Sequence, residues 1–335
     1  MTLKETPLNG RTYILGMGAY LPEKVMTNEE WGQYVDTSDE WITARTGIKR
    51  RRFAGANETT VDFALAAARG ALEQANVRPQ ELEEIIVATD TPEVSVPDTA
   101  AFVQHGLGAR EIPAYDLASS GCAGFIQALD VARARICFGV GPILVIGVEL
   151  VSRLISWHDR NTCVLFGDAA AAFVVGAKSG QAEILSAVAG TDGSKAGILM
   201  IEVGGTRHPI TVESVREERH KSIAMNGREV FKEAVRRMSE AALSVLAKAG
   251  FSIQDVDLVI PHQANLRIIE AVAKSLGVTS EKVYVNIQEY GNTGSASVPL
   301  ALWEARQRGL VRPGDLVLLT SFGAGFHWAA ALLQF

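Results

Sequence analysis

The order of apolar and polar positions predicts an α/β protein. Short apolar runs without polar alternation are typical of buried strands, and they occur at residues 85–89, 143–146, 258–260 and 316–319. A first strand that ends in a loop is predicted within residues 12–22. Apolar residues at helical spacing predict helices over 60–75 and from 123 to about 138. The second of these has apolar residues on more than one face, so we expect it to be largely buried.

The second half of this pattern repeats the first. Residues 80–86 (QELEEII) resemble residues 254–260 (QDVDLVI), 174 positions later, and each run follows an alanine-rich helix. Gly121-Cys122 corresponds to Gly291-Asn292, 170 positions later, and 166–169 (FGDA) corresponds to 322–325 (FGAG). The shared order predicts two α/β repeats, 1–180 and 181–335, with right-handed crossovers and buried sheets.

Composition narrows the functional classes. The 335 residues are 47% hydrophobic and 21% charged, which is typical of a globular protein with an ample core. The net charge of −6 argues against a general nucleic-acid binder. Neither a signal peptide nor an apolar run near the ~20 residues of a membrane span is apparent, so we expect no membrane insertion. The three cysteines are not closely paired, which is typical of a protein of the reducing cytoplasm. The sequence has no cysteine and histidine spacing of the zinc-binding kind, so we expect no metal site.

Cys122 is the first candidate for chemistry. It follows an apolar run and a group of small residues (Ser119, Ser120, Gly121), directly before the predicted buried helix. Helix N-termini favour negative charge, so this position is expected to favour thiolate over thiol. A nucleophilic cysteine at the floor of a cleft is one interpretation, and a small buried core thiol is the other.

Two turns of the second repeat carry possible partners for this cysteine. His262 follows the strand at 258–260, and Asn292 lies in a Gly-Asn-Thr-Gly turn. Alone, the histidine could be a helix cap or a satisfied core residue, and asparagine is common in such turns for conformational reasons. The predicted twofold arrangement brings both to Cys122. An acyl-accepting cysteine with two neutral donors then suits enolate stabilisation better than water activation.

The remaining signals are weaker. Residues 37–40 read as a capping box at Thr37, beginning a short helix that carries Trp41 and Arg45. The basic run at 49–52 is typical of a solvated face, with anion binding as the alternative. Gly16 and Gly18 lack the third glycine and the helix of a dinucleotide-binding fingerprint.

Motifs along nearly the whole chain resemble those of the β-ketoacyl-acyl-carrier-protein synthase III family. They are DTSDEWI at 36–42, RTGI at 45–48, GCAGF at 121–125, FGD at 166–168, MNGREVFK at 225–232, PHQANLR at 261–267, GNT at 291–293 and FGAGFHW at 322–328. The resemblance implies a thiolase-like fold, with two duplicated α/β repeats in αβαβα layers. It also implies a homodimeric acyltransferase that initiates bacterial fatty-acid synthesis.

The resemblance further implies the catalytic roles. Cys122 would be acylated by an acyl-CoA, either acetyl-CoA or another short or branched starter. Decarboxylative condensation with malonyl-acyl-carrier protein would follow, with His262 and Asn292 stabilising the enolate. The N–H groups of Cys122 and Ala324 would form the oxyanion hole, although the family commonly has glycine at the second position. Acyl-CoA and the carrier protein are substrates, and no cofactor is implied.

The same resemblance assigns binding residues. Those implied for CoA are Thr37, Trp41, Arg45, Arg160, Met225, Gly227, Phe231, Ala264 and Asn265. Without the resemblance, Trp41 would be interpreted as a core tryptophan. Gln263, Arg267 and Lys232 are implied for docking of the acidic carrier protein. Val96 stands where some members have a phenylalanine that closes the partner subunit's acyl pocket, which predicts room for longer or branched starters. The segment 190–222 matches poorly and is assigned no role.

Two alternatives remain open from the sequence, and a third does not fit it. A papain-like hydrolase also has cysteine, histidine and asparagine in this order, but it places the cysteine near the mature start, with disulfides. A thiolase-fold acyltransferase of secondary metabolism would use the same three residues on another acyl donor. A non-catalytic acyl-CoA-binding scaffold would retain the pocket without needing Cys122 as a nucleophile.

Overall fold

A computed structural model describes residues 10–335 of the chain. Its strands are β1 Tyr13–Tyr20, β2 Lys24–Thr27, β3 Arg50–Phe53, β4 Glu84–Thr89, β5 Ala114–Ala118, β6 Ile143–Leu150, β7 Asp168–Gly176, β8 Ala182–Thr191, β9 Leu199–Ile201, β10 Ile223–Met225, β11 Leu258–Pro261, β12 Leu316–Gly323 and β13 His327–Gln334. Its helices are α1 Asn28–Trp31, α2 Asp39–Thr46, α3 Thr60–Ala75, α4 Thr99–Leu107, α5 Gly124–Cys137, α6 Val212–Arg216, α7 Gly227–Ala249, α8 Leu266–Leu276, α9 Ile287–Tyr290 and α10 Ser297–Gln307.

A mixed nine-stranded sheet has the same strand order in both halves. Its order is β11-β12-β13-β8-β1-β7-β6-β4-β5, so β1 and β8 meet at the centre. From β1 through β7 and β6 to β4, the three successive pairings are antiparallel, antiparallel and parallel. From β8 through β13 and β12 to β11, the three pairings follow the same order. An isolated bridge from Val259 to Val283 occupies the position beyond β11 that β5 occupies beyond β4. This correspondence is consistent with a duplication, and the division at residues 180 and 181 stays a prediction.

Helices cover and separate the two halves of the sheet. The helices α5 and α10 contact strands of both halves and lie between them, within one continuous apolar core. The outer faces are covered by α3 and α4 on the first half and by α7 and α8 on the second. The resulting layers are αβαβα, which confirms the predicted thiolase-like α/β fold.

The strongest sequence patterns are confirmed as elements. The alanine-rich pattern at 60–75 forms α3 with the predicted bounds. The helix predicted to begin after Cys122 is α5, and most of its apolar residues are buried, although Val131 is exposed. Each of the four predicted buried strands lies within an observed strand (β4, β6, β11 and β12), and all the residues of these strands are buried. Among residues 10–335, no helix is both long and apolar enough to cross a membrane.

Two local predictions near the N-terminus are wrong. The helix α2 is capped by Ser38, whose hydroxyl accepts a hydrogen bond from the Trp41 N–H, and Thr37 is not the cap. The basic run is not a uniformly solvated face, because it enters β3 and alternating residues face opposite sides. Arg50 is exposed and pairs with Glu289, whereas Arg51 is fully buried.

Candidate active site

Cys122 lies in a 3-10 turn, Gly121–Ala123, that connects β5 to the buried helix α5. The turn passes very close to the chain after β12. A Cβ placed on Gly323 would lie 2.4 Å from the Cys122 nitrogen, and one placed on Gly121 would lie 2.6 Å from the Ala324 nitrogen. Gly121 also has a positive φ of 56°. Glycine at both positions therefore lets the two backbone segments meet at the cysteine.

His262 and Asn292 reach Cys122 from the second half of the chain. His262 follows β11, and its N–H donates to the Thr320 carbonyl of β12. The Asn292 backbone is paired with residues 165–167, since its N–H donates to the Leu165 carbonyl and its carbonyl accepts from the Gly167 N–H. The Cys122 Sγ lies 3.9 Å from the Asn292 Oδ1.

The Asn292 amide is oriented by its own turn. Its Oδ1 accepts a 2.9 Å hydrogen bond from the Gly294 N–H. The amide oxygen is thereby held in a hydrogen bond within the protein, and the NH₂ group remains available as a donor.

Cys122, His262 and Asn292 line one cavity of about 510 Å³. Its other lining residues are mostly apolar: Leu165, Phe166, Leu199, Met225, Gly227, Arg228, Val230, Phe231, Ala234, Met238, Ala264, Asn265, Arg267, Ile268, Phe322 and Gly323. Five of the residues that the resemblance assigned to CoA binding line this cavity: Met225, Gly227, Phe231, Ala264 and Asn265. A mostly apolar cavity of this size fits a narrow flexible chain with few polar groups.

Burial controls the charge of the reactive groups. It lowers the pKa of His262 to about 3, so the imidazole is neutral near pH 7. Burial also raises the pKa of the Cys122 thiol, and the carboxyl groups of Asp90 and Glu149 add to that shift. The expectation that this position favours thiolate is therefore wrong, because the helix terminus is outweighed by desolvation and by two nearby acids.

Asp90 is half-buried beside the cysteine turn, and the buried Glu149 reaches the turn that follows Asn292, where its Oε1 lies 3.5 Å from the Ser295 nitrogen. The Asp90 Oδ1 accepts from the Gly121 N–H at 3.2 Å, and Glu149 accepts from the Asp90 N–H and the Thr91 hydroxyl. Burial raises the pKa of Asp90 to about 6 and raises that of Glu149 as well. Neither acid was predicted from the sequence, since single carboxylates at strand ends carry no distinctive pattern.

The oxyanion-hole donors predicted from the resemblance are adjacent. The N–H of Ala324 makes no hydrogen bond with the described part of the chain. The φ angle of Ala324 is not positive. Alanine is therefore compatible with this position, where the family commonly has glycine. The Ser321 hydroxyl donates to the Cys122 carbonyl at 2.6 Å, which ties β12 to the cysteine turn.

Trp41 is covered by two arginines at the rim of the cavity. The guanidinium of Arg45 lies 4.3 Å from the Trp41 ring centroid, and that of Arg160 lies 4.6 Å from it. The Asn265 side chain donates to the Arg45 carbonyl, which joins this cluster to the cavity lining. The Thr37 hydroxyl is buried without a hydrogen-bond partner in residues 10–335, so its predicted contact with CoA is not prepared in this conformation.

The three residues predicted to dock the carrier protein differ in position. Arg267 and Lys232 are exposed, and Arg267 also lines the cavity. Gln263 is buried, with its amide bonded to the Pro261 carbonyl and to the Asn286 N–H. The prediction that Gln263 contacts the carrier protein is therefore wrong.

Two further predictions concern the edges of the site. Val96 is 86% exposed and does not line the cavity of its own chain. The unassigned segment 190–222 contributes Leu199, at the start of β9, to the cavity wall. Within residues 10–335, no group of three histidine, cysteine or acidic residues is placed to hold a metal ion.

The layered, duplicated fold and the cysteine at the start of its buried helix define a thiolase-fold condensing enzyme, which is an acyltransferase. Comparison with known families agrees. The family model for 3-oxoacyl-[acyl-carrier-protein] synthase III matches residues 115–193, and the model for its C-terminal part matches residues 246–335. The chain belongs to the β-ketoacyl-[acyl-carrier-protein] synthase III family.

Individual relatives match over nearly the whole chain. The chain is 49% identical over 322 residues to β-ketoacyl-[acyl-carrier-protein] synthase III of Caldanaerobacter subterraneus subsp. tengcongensis, covering 96% of this chain and 97% of that one. The crystal structure of the synthase III of Aquifex aeolicus matches with a TM-score of 0.88 at 47% identity, covering 97% and 100%. The priming β-ketosynthase of a polyketide biosynthetic pathway matches with a TM-score of 0.87 at 35% identity, covering 100% and 98%.

Proposed function

We propose that the chain condenses an acyl-CoA starter with malonyl-acyl-carrier protein, and that Cys122, His262 and Asn292 carry out the reaction. The observation that carries this proposal is that the three side chains share one mostly apolar cavity, with the sulfur 3.9 Å from the asparagine amide oxygen. The names of its relatives specify a β-ketoacyl product on acyl-carrier protein, which agrees with this reaction.

The first half-reaction transfers the acyl group to sulfur. The Cys122 sulfur bonds to the acyl carbon, the carbon–sulfur bond to CoA breaks, and the thiol proton leaves with CoA. The N–H groups of Cys122 and Ala324 stabilise the charge that develops on the acyl oxygen. Because burial raises the pKa of the thiol, the sulfur is protonated at rest and must lose its proton as the thioester is attacked.

The second half-reaction makes the carbon–carbon bond. Malonyl-carrier protein loses CO₂, and the electron pair of the broken bond passes to the thioester oxygen as an enolate. The neutral His262 imidazole and the Asn292 NH₂ group donate hydrogen bonds to that oxygen. The enolate carbon then attacks the acyl group, the bond to Cys122 breaks, and the released sulfur takes up a proton.

The rim supports the proposed binding of both substrates. Arg45 and Arg160 lie against the Trp41 ring, so at least one guanidinium would move aside for an adenine to stack on the tryptophan, and both are suited to bind phosphates. The cavity beyond the Trp41 ring would hold the pantetheine arm. Arg267 is exposed and lines the cavity, and Lys232 is exposed one residue after the lining residue Phe231, so both charges of this net-acidic molecule would attract an acidic carrier protein. We further propose that the enzyme is a homodimer, with Val96 at the end of the partner subunit's acyl pocket, where it leaves room for more than an acetyl group.

Separate assays of the two half-reactions test the assignment. Acylation of Cys122 is followed by mass spectrometry of the intact protein, and decarboxylation by release of CO₂ from malonyl-carrier protein. Cys122→Ser should abolish stable acylation. His262→Ala or Asn292→Ala should reduce decarboxylation by roughly 10²-fold or more while acylation continues. Loss of both half-reactions in either variant would contradict the proposed roles, and unchanged turnover in Cys122→Ser would favour an acyl-CoA-binding scaffold.

The likeness to a priming ketosynthase of polyketide synthesis favours one second candidate, a synthase that starts a secondary-metabolite chain. The two candidates share the chemistry and differ in starter and carrier. Loading of Cys122 from an equimolar panel of acyl-CoAs, followed by malonyl transfer from carrier proteins of both kinds, distinguishes them. Preference for a short or branched starter and for the fatty-acid carrier protein supports the first candidate.

A further inference from the structure

Ser297 connects the catalytic histidine to the helix that follows Asn292. It is the first residue of α10 and is 2% exposed. Its Oγ lies 2.9 Å from the His262 Nδ1 and 2.8 Å from the nitrogen of Gln263. The hydroxyl therefore contacts both the side chain of the histidine and the backbone of the next residue.

The donors and acceptors in this cluster determine the direction of each hydrogen bond. The Gln263 N–H can only donate, so it occupies a lone pair of the Ser297 oxygen. The serine then has one hydrogen to donate, and within residues 10–335 its only acceptor in reach is the His262 Nδ1. If Nδ1 carried a proton instead, the buried hydroxyl would have no acceptor, which disfavours that tautomer.

We propose that Ser297 is a positioning residue that holds His262 in the tautomer with its proton on Nε2. The Nε2 atom has no hydrogen-bond partner in the described part of the chain, and His262 lines the cavity. With Nδ1 as the acceptor, Nε2–H is the donor directed at the substrate. In the other tautomer, a lone pair would face the enolate oxygen and repel it.

The inference rests on the proposed role of His262, and it explains how a neutral imidazole is held with its N–H directed at the substrate. Asn292 is oriented in a similar way by the Gly294 N–H. The two donors that face the substrate are thus fixed by groups only three residues apart, at the junction of the 3-10 turn Gly294–Ala296 and α10. A small change at this junction would affect both.

The tautomer can be measured directly, without an activity assay. The ¹⁵N chemical shifts of histidine ring nitrogens distinguish a protonated from an unprotonated nitrogen, and His262→Ala assigns the signals. In the wild-type enzyme at pH 7, we expect Nε2 to be protonated and Nδ1 to be an unprotonated acceptor. A proton on Nδ1 would overturn the inference, whatever the enzyme's substrates prove to be.

Two variants and a control extend this test to the reaction. Ser297→Ala should mix the tautomers and slow malonyl decarboxylation by roughly 10- to 1,000-fold, while Cys122 acylation stays within about twofold. Ser297→Thr keeps the hydroxyl and should restore most of the rate and the Nε2–H signal. The control is Ser186→Ala in β8, because the Ser186 hydroxyl is buried without a partner in residues 10–335. It should change neither quantity.

The outcomes separate the inference from the proposed function. If Ser297→Ala leaves the tautomer and the decarboxylation rate unchanged, Ser297 is not a positioning residue. If the tautomer shifts while decarboxylation is unaffected, the role proposed for His262 is wrong and the present inference about catalysis falls with it. If Ser297→Ala does not fold, the wild-type spectrum and Ser297→Thr still decide the matter.

Discussion

At the scale of single residues, His262 makes the free energy of unfolding depend on pH. Its pKa is about 3 in the folded protein and about 6.5 when exposed, so the unfolded chain binds a proton that the folded one excludes. Stability is therefore lost as the pH falls from about 6.5 towards 3. Each pH unit in this window costs about 1.4 kcal/mol, which gives about 2 kcal/mol at pH 5.

Urea unfolding at pH 7.5 and at pH 5 measures this contribution. The free energy of unfolding should fall more for the wild type than for His262→Gln, by about 2 kcal/mol, because glutamine does not titrate. Equal acid sensitivity of the two proteins would mean that His262 is already accessible to protons when folded.

Arg51 is a second residue whose environment controls its effect. Its guanidinium is fully buried and bonds to the Val164 carbonyl and the Asn28 side chain, and no carboxylate within residues 10–335 forms an ion pair with it. Burial lowers its pKa to about 10. Arg51→Lys should destabilise the protein by roughly 3 kcal/mol, since a lysine cannot reproduce the forked contacts.

The neighbouring Arg50 provides the control for that substitution. It is exposed and pairs with Glu289 on the surface, so Arg50→Lys should cost less than about 1 kcal/mol in the same denaturation experiment. Similar losses in the two variants would show that Arg51 does not depend on its buried contacts.

The chemical identity of the site residues was readable from the sequence, but their charge states were not. Cys122, His262 and Asn292 stand in patterned turns, and the structure brings them together. The direction of the Cys122 pKa was predicted wrongly, because it depends on burial and on Asp90 and Glu149, which are close only in the folded chain. Gln263 was predicted at the surface for the same reason, since a motif does not reveal which way a side chain points.

At the scale of elements, the close contact between the cysteine turn and the end of β12 can be tested by a substitution that adds one carbon atom at Gly323. A Cβ on Gly323 would lie 2.4 Å from the Cys122 nitrogen. Gly323→Ala should push the two segments apart and slow Cys122 acylation by roughly 10²- to 10³-fold, the effect of losing an oxyanion-hole donor. Gly205→Ala is the matched control, because no atom lies within 4 Å of its added Cβ. Normal acylation in Gly323→Ala would remove this contact from the mechanism.

Elements with strong periodicity were predictable, and short ones were not. The pattern that predicts α3 spans four turns, so many positions agree on its bounds. The strand β3 has four residues, three of them arginine, and only its pairing with β2 decides which arginine is buried. The α2 cap differs from the prediction by one residue, because Thr37 and Ser38 are both good capping residues and the backbone decides between them.

At the scale of the whole molecule, Val96 tests the proposed dimer. Its apolar side chain is 86% exposed in a single chain, as expected for a residue that enters a partner subunit. Val96→Phe should narrow the acyl-CoA preference towards short starters, because the larger ring fills the partner's acyl pocket. The measurement is Cys122 loading from the acyl-CoA panel, with light scattering showing twice the mass of one chain for both proteins. A monomer, or an unchanged preference, would contradict the placement of Val96.

The central seam of the sheet has a consequence for how the chain can be divided. Strands β1 and β8 are paired at only two positions, and α5 and α10 supply the packing between the halves. The sulfur belongs to one half, whereas the imidazole and the carboxamide belong to the other. Two polypeptides produced by cutting the loop between β7 and β8 would each be inert, and mixing them should regain turnover only as they associate. The enzyme is therefore suited to serve as a split reporter whose signal requires complete assembly of its interior.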